Sequence, residues 1–197
     1  MPGDVVVLGP GEGRRFWTSV SHAAVKVESG SADFSVFESS PPPGLPGPAP
    51  HVHRSYDEAW FIIEGTMEFL LDGQRERQGA GGFVFVPRGV VHSFANPGPA
   101  EARMLVIGSS PAQMMVEEVG RLSEAGRLSP DTIMEVYRRH DSALARGGES
   151  GLLVRALSVK QDNAGVPCPG LCWLGHLPRA QARRRWRCRD LIRGEDP

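Results

Sequence analysis

The alternation of apolar and polar positions changes character once along this chain, near Gly108. Before that point, apolar runs of strand length are separated by Gly, Pro, Asp and Ser, the pattern of an antiparallel β structure. Val5-Val6-Val7-Leu8 opens the series and stops at Gly9-Pro10-Gly11. His22 to Glu28 and Asp33 to Glu38 read as two strands joined across Ser29-Gly30-Ser31, with Phe34 and Val36 on one shared face. Ala59 to Glu64 and Met67 to Leu71 follow around Gly65, and Asp72-Gly73 is the strongest hairpin signal in the chain. Phe83-Val84-Phe85-Val86 is a continuous apolar strand whose two phenylalanines are expected to fill the core, and Arg103 to Ile107 closes the series. After Gly108 the period becomes helical, from Ala112 to Ala125 and from Asp131 to Ala145. Pro111 and Pro130 stand near the two starts, Gly126 follows the first helix, and Ser129 is placed to cap the second.

Between the second and third runs lies a stretch that fits neither period. Residues 40 to 50 are dominated by proline, which donates no backbone hydrogen bond, so a strand interior is excluded there. The stretch reads as a stiff loop that delivers the chain to His51 rather than as a polyproline ligand.

Candidate chemistry begins where that loop ends. His51 and His53 are two residues apart, so on an extended strand both point to one face. Glu58 opens the next strand, and a turn after His53 returns it to the same face. A third histidine, His92, lies in Gly81-x5-Pro87-x-Gly89-x2-His92-x3-Asn96. Three imidazoles and one carboxylate suit a divalent ion of borderline softness: Fe, Mn, Ni, Co or Zn. Four protein donors leave one or two positions open on an ion that prefers five or six, which is the arrangement of a catalytic site.

These two segments resemble the cupins. The family's second motif, G-x5-P-x-G-x2-H-x3-N, is matched at every fixed position by Gly81, Pro87, Gly89, His92 and Asn96. The first, G-x5-H-x-H-x3,4-E-x6-G, is matched at His51, His53, Glu58 and Gly65, while Leu45 stands where the leading glycine is usual, flanked by Gly44 and Gly47. The resemblance implies a mainly β fold, the cupin β-barrel (a double-stranded β-helix or jelly roll), with two C-terminal helices. It implies a barrel over 1–108, helices packing on it over 109–146, and an irregular segment over 147–197. It also implies one divalent ion on His51, His53, Glu58 and His92, and members of this ligand type include dioxygenases, lyases, isomerases, cyclases and sugar-binding proteins.

Among these, a single barrel with aromatic residues beside its ligands is similar to the quercetinase-like group. The expected activity is a dioxygenase acting on an enol- or catechol-like small molecule of flavonol or diketone type, with Glu58 accepting the substrate proton. Period two places Trp60 and Ile62 on the face of Glu58, and Phe94 on the face of His92. With Phe34 and Val36 they form the expected substrate contacts, although core filling is an equal reading for Trp60 and Phe94. A non-oxidative cupin and a barrel that only binds a ligand are the alternatives. Met114, Met115, Val119 and Leu122 are expected to cover one barrel opening, Tyr56 and Asp57 to form a turn, and His140 to be solvated on its helix. The resemblance further implies a homodimer, with the Val5–Leu8 arm near the interface.

Composition narrows the remaining possibilities. At 197 residues the chain suits one domain, and its net charge of −1 gives the core no reason to bind nucleic acid. No apolar run reaches spanning length and no basic segment precedes one, so neither a membrane nor export is expected. Cys168, Cys172 and Cys188 all fall after the barrel, which suits a reducing cytoplasm. From Arg179 onward seven arginines face three acids, and with weak apolar periodicity residues 147–197 are expected to be disordered and the tail beyond about Gly165 dispensable. Zinc on Cys168, Cys172, His176 and Cys188 is disfavoured by the spacing.

Overall fold

The computed structural model describes residues 5–145. Cys168, Cys172, His176, Cys188 and the arginine-rich segment lie outside them. Ten strands come first: β1 (Arg14–Trp17), β2 (His22–Val27), β3 (Phe34–Ser39), β4 (His51–His53), β5 (Glu58–Glu64), β6 (Thr66–Leu71), β7 (Gln74–Gly79), β8 (Phe83–Val86), β9 (His92–Ala95) and β10 (Arg103–Ser109). Two helices, α1 (Ser110–Glu124) and α2 (Pro130–Arg139), and a last strand, β11 (Ser142–Leu144), follow. No helix among the described residues is long and apolar enough to cross a membrane.

The strands form two antiparallel sheets, one ordered β1-β2-β3-β10-β5-β8 and the other β11-β4-β9-β6-β7. Their facing sides enclose the core: Val25, Phe37, Trp60, Ile62, Met67, Phe69, Val84, Val86, Met104 and Val106. Burying each of the larger side chains contributes about 1.5–3 kcal/mol, which makes this layer the main source of stability. The alternation is strict on β10, where Met104, Val106 and Gly108 are buried and the residues between them half-buried.

The same alternation corrects two expectations. Phe83 and Phe85 are 57% and 58% exposed, while Val84 and Val86 between them are buried. The run is apolar on both faces, so its sequence does not say which face turns inward. Phe34 and Val36 do share a face, but it is the outer one, because Ser35, Phe37 and Ser39 take the buried positions of β3. Phe34 is 47% exposed.

Turn chemistry sets much of the register. Asp72 and Gly73 have φ of 45° and 84°, the left-handed pair that joins β6 to β7. β7 itself, Gln-Arg-Glu-Arg-Gln-Gly, has no apolar pattern and exists through this turn and its full pairing with β6. Val5 to Leu8, by contrast, are exposed and form no strand.

The proline-rich loop is fixed by β9. Asn96 donates through Nδ2 to the carbonyls of Pro41 and Ala100 and accepts from the Gly98 N–H, and Ser93 Oγ donates to Pro48 O. Leu45, at the position of the usual motif glycine, forms an antiparallel bridge with Asn96. Gly47 has φ of 75°, and a Cβ there would lie 1.5 Å from Phe94 O, so only glycine permits this approach. The loop therefore reaches β4 in a fixed register, which is the stiff delivery its prolines imply.

After Gly108 the second helix is shorter than its pattern suggests. Ser129 and Thr132 form a reciprocal capping box, but α2 stops at Arg139. Asp141 then takes φ of 48°, and residues 142–144 turn back as β11 beside β4. On α1, Met115 is buried whereas Met114 is exposed, and Val116 packs on the main core. His140 is not a freely solvated residue. It caps α2 and pairs through Nε2 with Glu118 Oε2 at 2.8 Å.

Candidate metal centre

β4, β5 and β9 bring His51, His53, Glu58 and His92 together inside the barrel. His51 and His53 are both buried and flank the half-buried Val52, as period two requires. His51 pairs directly across to His92, and Glu58 opens β5 from the facing sheet. Potential ligand atoms of the four side chains all lie within 4.8 Å of one another. Glu58 Oε2 is 3.2 Å from Nε2 of His53 and 3.2 Å from Nε2 of His92. Two bonds of about 2.2 Å meeting at a right angle hold their donors about 3.1 Å apart, so the spacing fits one shared ion.

The tautomers support the same fit. His51 Nδ1 faces Ala49 O at 2.8 Å and His92 Nδ1 faces Val90 O at 3.0 Å. A carbonyl only accepts, so each Nδ1 carries the proton. His53 Nδ1 lies 2.7 Å from Ser142 Oγ, whose own proton goes to His140 O, so here too Nδ1 donates. All three Nε2 lone pairs are thereby presented inward, the orientation that hydrogen bonds behind a metal-binding histidine impose. His53 Nε2 is buried and makes no aligned hydrogen bond within the protein. These four residues form a group able to hold a metal ion.

Electrostatics keeps the donor set in its ligating state. Burial, reinforced by His92 and His53, lowers His51 to about 3, so its imidazole is neutral at physiological pH. Burial raises the pKa of Glu58, and hydrogen bonds and charge from His53 and His92, which need a proton on Nε2, lower it; with those protons absent, a bound cation would hold the carboxylate ionised in their place.

Three further residues surround the cluster, and the sequence marks only Tyr56 as able to assist Glu58, with a turn as its default role. Tyr56 is 1% exposed and stacks on His53 with ring centroids 4.2 Å apart. Its hydroxyl lies 3.3 Å from Ser142 Oγ, and burial, followed by the Glu58 charge, raises its pKa. Tyr137 of α2 sets its ring edge-on to His51 at 5.3 Å, closing the barrel over the ligands. Ser142 was hidden inside a stretch that reads as helix. Asp57, beside the ligand Glu58, accepts the Arg88 N–H and pairs with its guanidinium at 2.8 Å, and these bonds lower its carboxyl to about 2.

Of the expected substrate contacts, Trp60 and Ile62 point inward below Glu58 and are fully buried. Phe94 packs against the same core, 6.1 Å from the Trp60 ring. Phe34 lies on the outer side, where a cleft of about 400 Å³ is lined by Phe34, Phe85, Asp57, Arg88 and Ser109 and reaches Glu58. His22 is on the surface against Trp17, apart from the cluster.

A two-sheet antiparallel barrel with three histidines and a glutamate at its centre defines the class. Residues 37–108 match the cupin domain family, and this segment carries both cupin-like motifs. An uncharacterised protein of Aquifex aeolicus (strain VF5) is 26% identical over 61 residues, 31% of this chain and 50% of that protein. The chain thus spans about half the length of that curated relative. Similar solved structures include KdgF from Halomonas sp., 16% identical over 55% of this chain and 94% of that one, with a TM-score of 0.47. The polyketide cyclase RemF from Streptomyces resistomycificus is 25% identical over 51% of this chain and 70% of that one, with a TM-score of 0.42. A sugar phosphate isomerase of the cupin superfamily from Silicibacter pomeroyi is 20% identical over 52% and 74%, with a TM-score of 0.45. Likenesses of this degree say nothing about the substrate of this chain.

Proposed function

We propose that the protein is a metal-dependent cupin enzyme that oxidises a small enol- or catechol-like molecule with dioxygen. The observation that carries the reading is the set of three histidines whose Nδ1 protons are all held outward, around one glutamate. A divalent ion held by His51, His53, Glu58 and His92 supplies Lewis acidity and, where it is redox-active, electron exchange with dioxygen. Such an ion would take up the three inward imidazole lone pairs, so Glu58, with its second carboxylate oxygen, would be the member of the four able to accept the hydroxyl proton of an incoming enol. Trp60, Ile62 and Phe94 supply an apolar floor that excludes water, and Tyr137 covers the ligands from the helical side.

Elemental analysis of the purified protein, followed by oxygen-electrode assays with flavonols and linear diketones, tests this. About one equivalent of Fe, Mn, Ni or Co and oxygen uptake that requires both substrate and metal are expected. Turnover without oxygen uptake would replace the dioxygenase by a non-oxidative isomerase, cyclase or lyase. A protein that binds but does not turn over would be a binding barrel.

A further inference from the structure

Three buried polar side-chain atoms among the described residues have no hydrogen-bond partner: His53 Nε2, Ser109 Oγ and Trp60 Nε1. The first is accounted for by the ligand cluster, and the second caps α1 without a side-chain bond. Trp60 Nε1 is different, because an indole nitrogen only donates and nothing in the barrel accepts from it. The side chain is 1% exposed and follows Glu58 on the inward face of β5. Its ring lies 5.7 Å from the His92 ring, 5.4 Å from Phe69 and 6.1 Å from Phe94. A buried donor left without an acceptor is costly, whereas phenylalanine at this place would carry no such cost. The indole N–H is thus a donor held beside the ligand cluster without an acceptor of the protein's own.

We infer that Trp60 orients the substrate: its Nε1–H donates to a second oxygen of a molecule whose first oxygen sits at the cluster. This rests on the reading of the cluster as a metal site for oxygenated small molecules, and sharpens it. The favoured ligands carry two oxygens on neighbouring or next-neighbouring carbons, as catechols, enediols and α-hydroxyketones do. Molecules with one oxygen would occupy the cluster and leave the indole unsatisfied. Discrimination comes from that difference, since a site built to hydrogen-bond a group rejects the analogue lacking it.

The test compares 4-nitrocatechol with 4-nitrophenol as chromophoric probes on the zinc-loaded protein, for the wild type and for Trp60→Phe. The wild type is expected to bind nitrocatechol more tightly, with the Trp60 indole N–H resonance moving downfield in a ¹⁵N-correlated spectrum. In Trp60→Phe, with metal content unchanged, nitrocatechol affinity should fall about three- to tenfold while nitrophenol affinity stays the same. Equal weakening of both probes, or of neither, would overturn the role of Trp60 and leave the metal site intact. An indole resonance unmoved by bound nitrocatechol would do the same without any mutation. A metal-loaded wild type that binds neither probe would overturn the underlying reading of the site as well.

Discussion

Ser142 Oγ accepts the Nδ1 proton of His53 at 2.7 Å across 89 positions of sequence. The bond is buried, and Ser142 is itself oriented by donation to His140 O. A residue at the end of the described chain thus decides how a metal-cluster residue on β4 presents its lone pair.

Ser142→Ala should leave the barrel folded and weaken metal binding, because the His53 ring loses the acceptor that fixes its tautomer. A loss of about tenfold in zinc affinity is expected, at the lower end of what hydrogen-bond partners of metal-binding histidines contribute. His53→Ala should abolish most binding, and His22→Ala should change nothing. Competitive chelator titration of the three variants checks this, and wild-type affinity in Ser142→Ala would refute it.

The grouping of His51, His53, Glu58 and His92 was legible from period two and the two cupin-like motifs. What surrounds them was not. Asp131 to Ala145 has an uninterrupted helical pattern, and nothing in it marks the reversal at Asp141, since the chain turns on a left-handed aspartate rather than a glycine. Ser142 was therefore read as helical. Tyr56 sits among turn residues, and its hydroxyl is enclosed by Met115 of α1 and Ser142 of β11, distant partners that local sequence does not encode. The outward turn of Phe83 and Phe85 was equally hidden, because an all-apolar strand has two faces of the same kind.

Gly47→Ala should be strongly destabilising for so small a change. A methyl group would meet Phe94 O at 1.5 Å, and φ of 75° is unfavourable for alanine. The loop must then leave β9, at an expected cost of about 2–4 kcal/mol, and carry His51 out of register. Denaturant unfolding and metal titration should both register the loss. Gly44→Ala, which meets no atom within 4 Å, should cost only its backbone strain.

Acid should weaken the outer face of the six-stranded sheet. Glu38 is half-buried between Lys26 at 3.1 Å and Arg103 at 2.7 Å. Burial raises its pKa, but bonds from Arg103 and Lys26 outweigh this and lower it beneath the ordinary 4.5. A depressed carboxylate contributes stability above its unfolded pKa and loses it as pH falls through the folded value. As pH falls from about 5, wild type should lose more stability than Glu38→Gln, measured by urea unfolding at each pH. Parallel curves for the two proteins would contradict the assignment.

A homodimer is proposed on the resemblance to dimeric cupins, and the structure offers a surface for it. Phe61, Phe83 and Phe85 are exposed together on β5 and the edge strand β8, and the Val5–Leu8 arm is exposed as well. Light scattering should give twice the monomer mass for wild type and the monomer mass for Phe83→Glu/Phe85→Glu. A version beginning at Gly13 reports whether the arm takes part. Monomers in wild type at micromolar concentration would end the proposal.

The pairing of β11 with β4 also imposes an order on synthesis. A nascent chain can assemble both of its cupin-like motifs, with His51, His53, Glu58 and His92 all in place, well before Ser142 has left the ribosome. Until then His53 has no partner for its Nδ1 proton and the border of β4 is open. Metal captured at that stage would meet a cluster still free to choose between two imidazole tautomers. The fit of the cluster to an ion would then be settled late in translation, when the returning strand arrives.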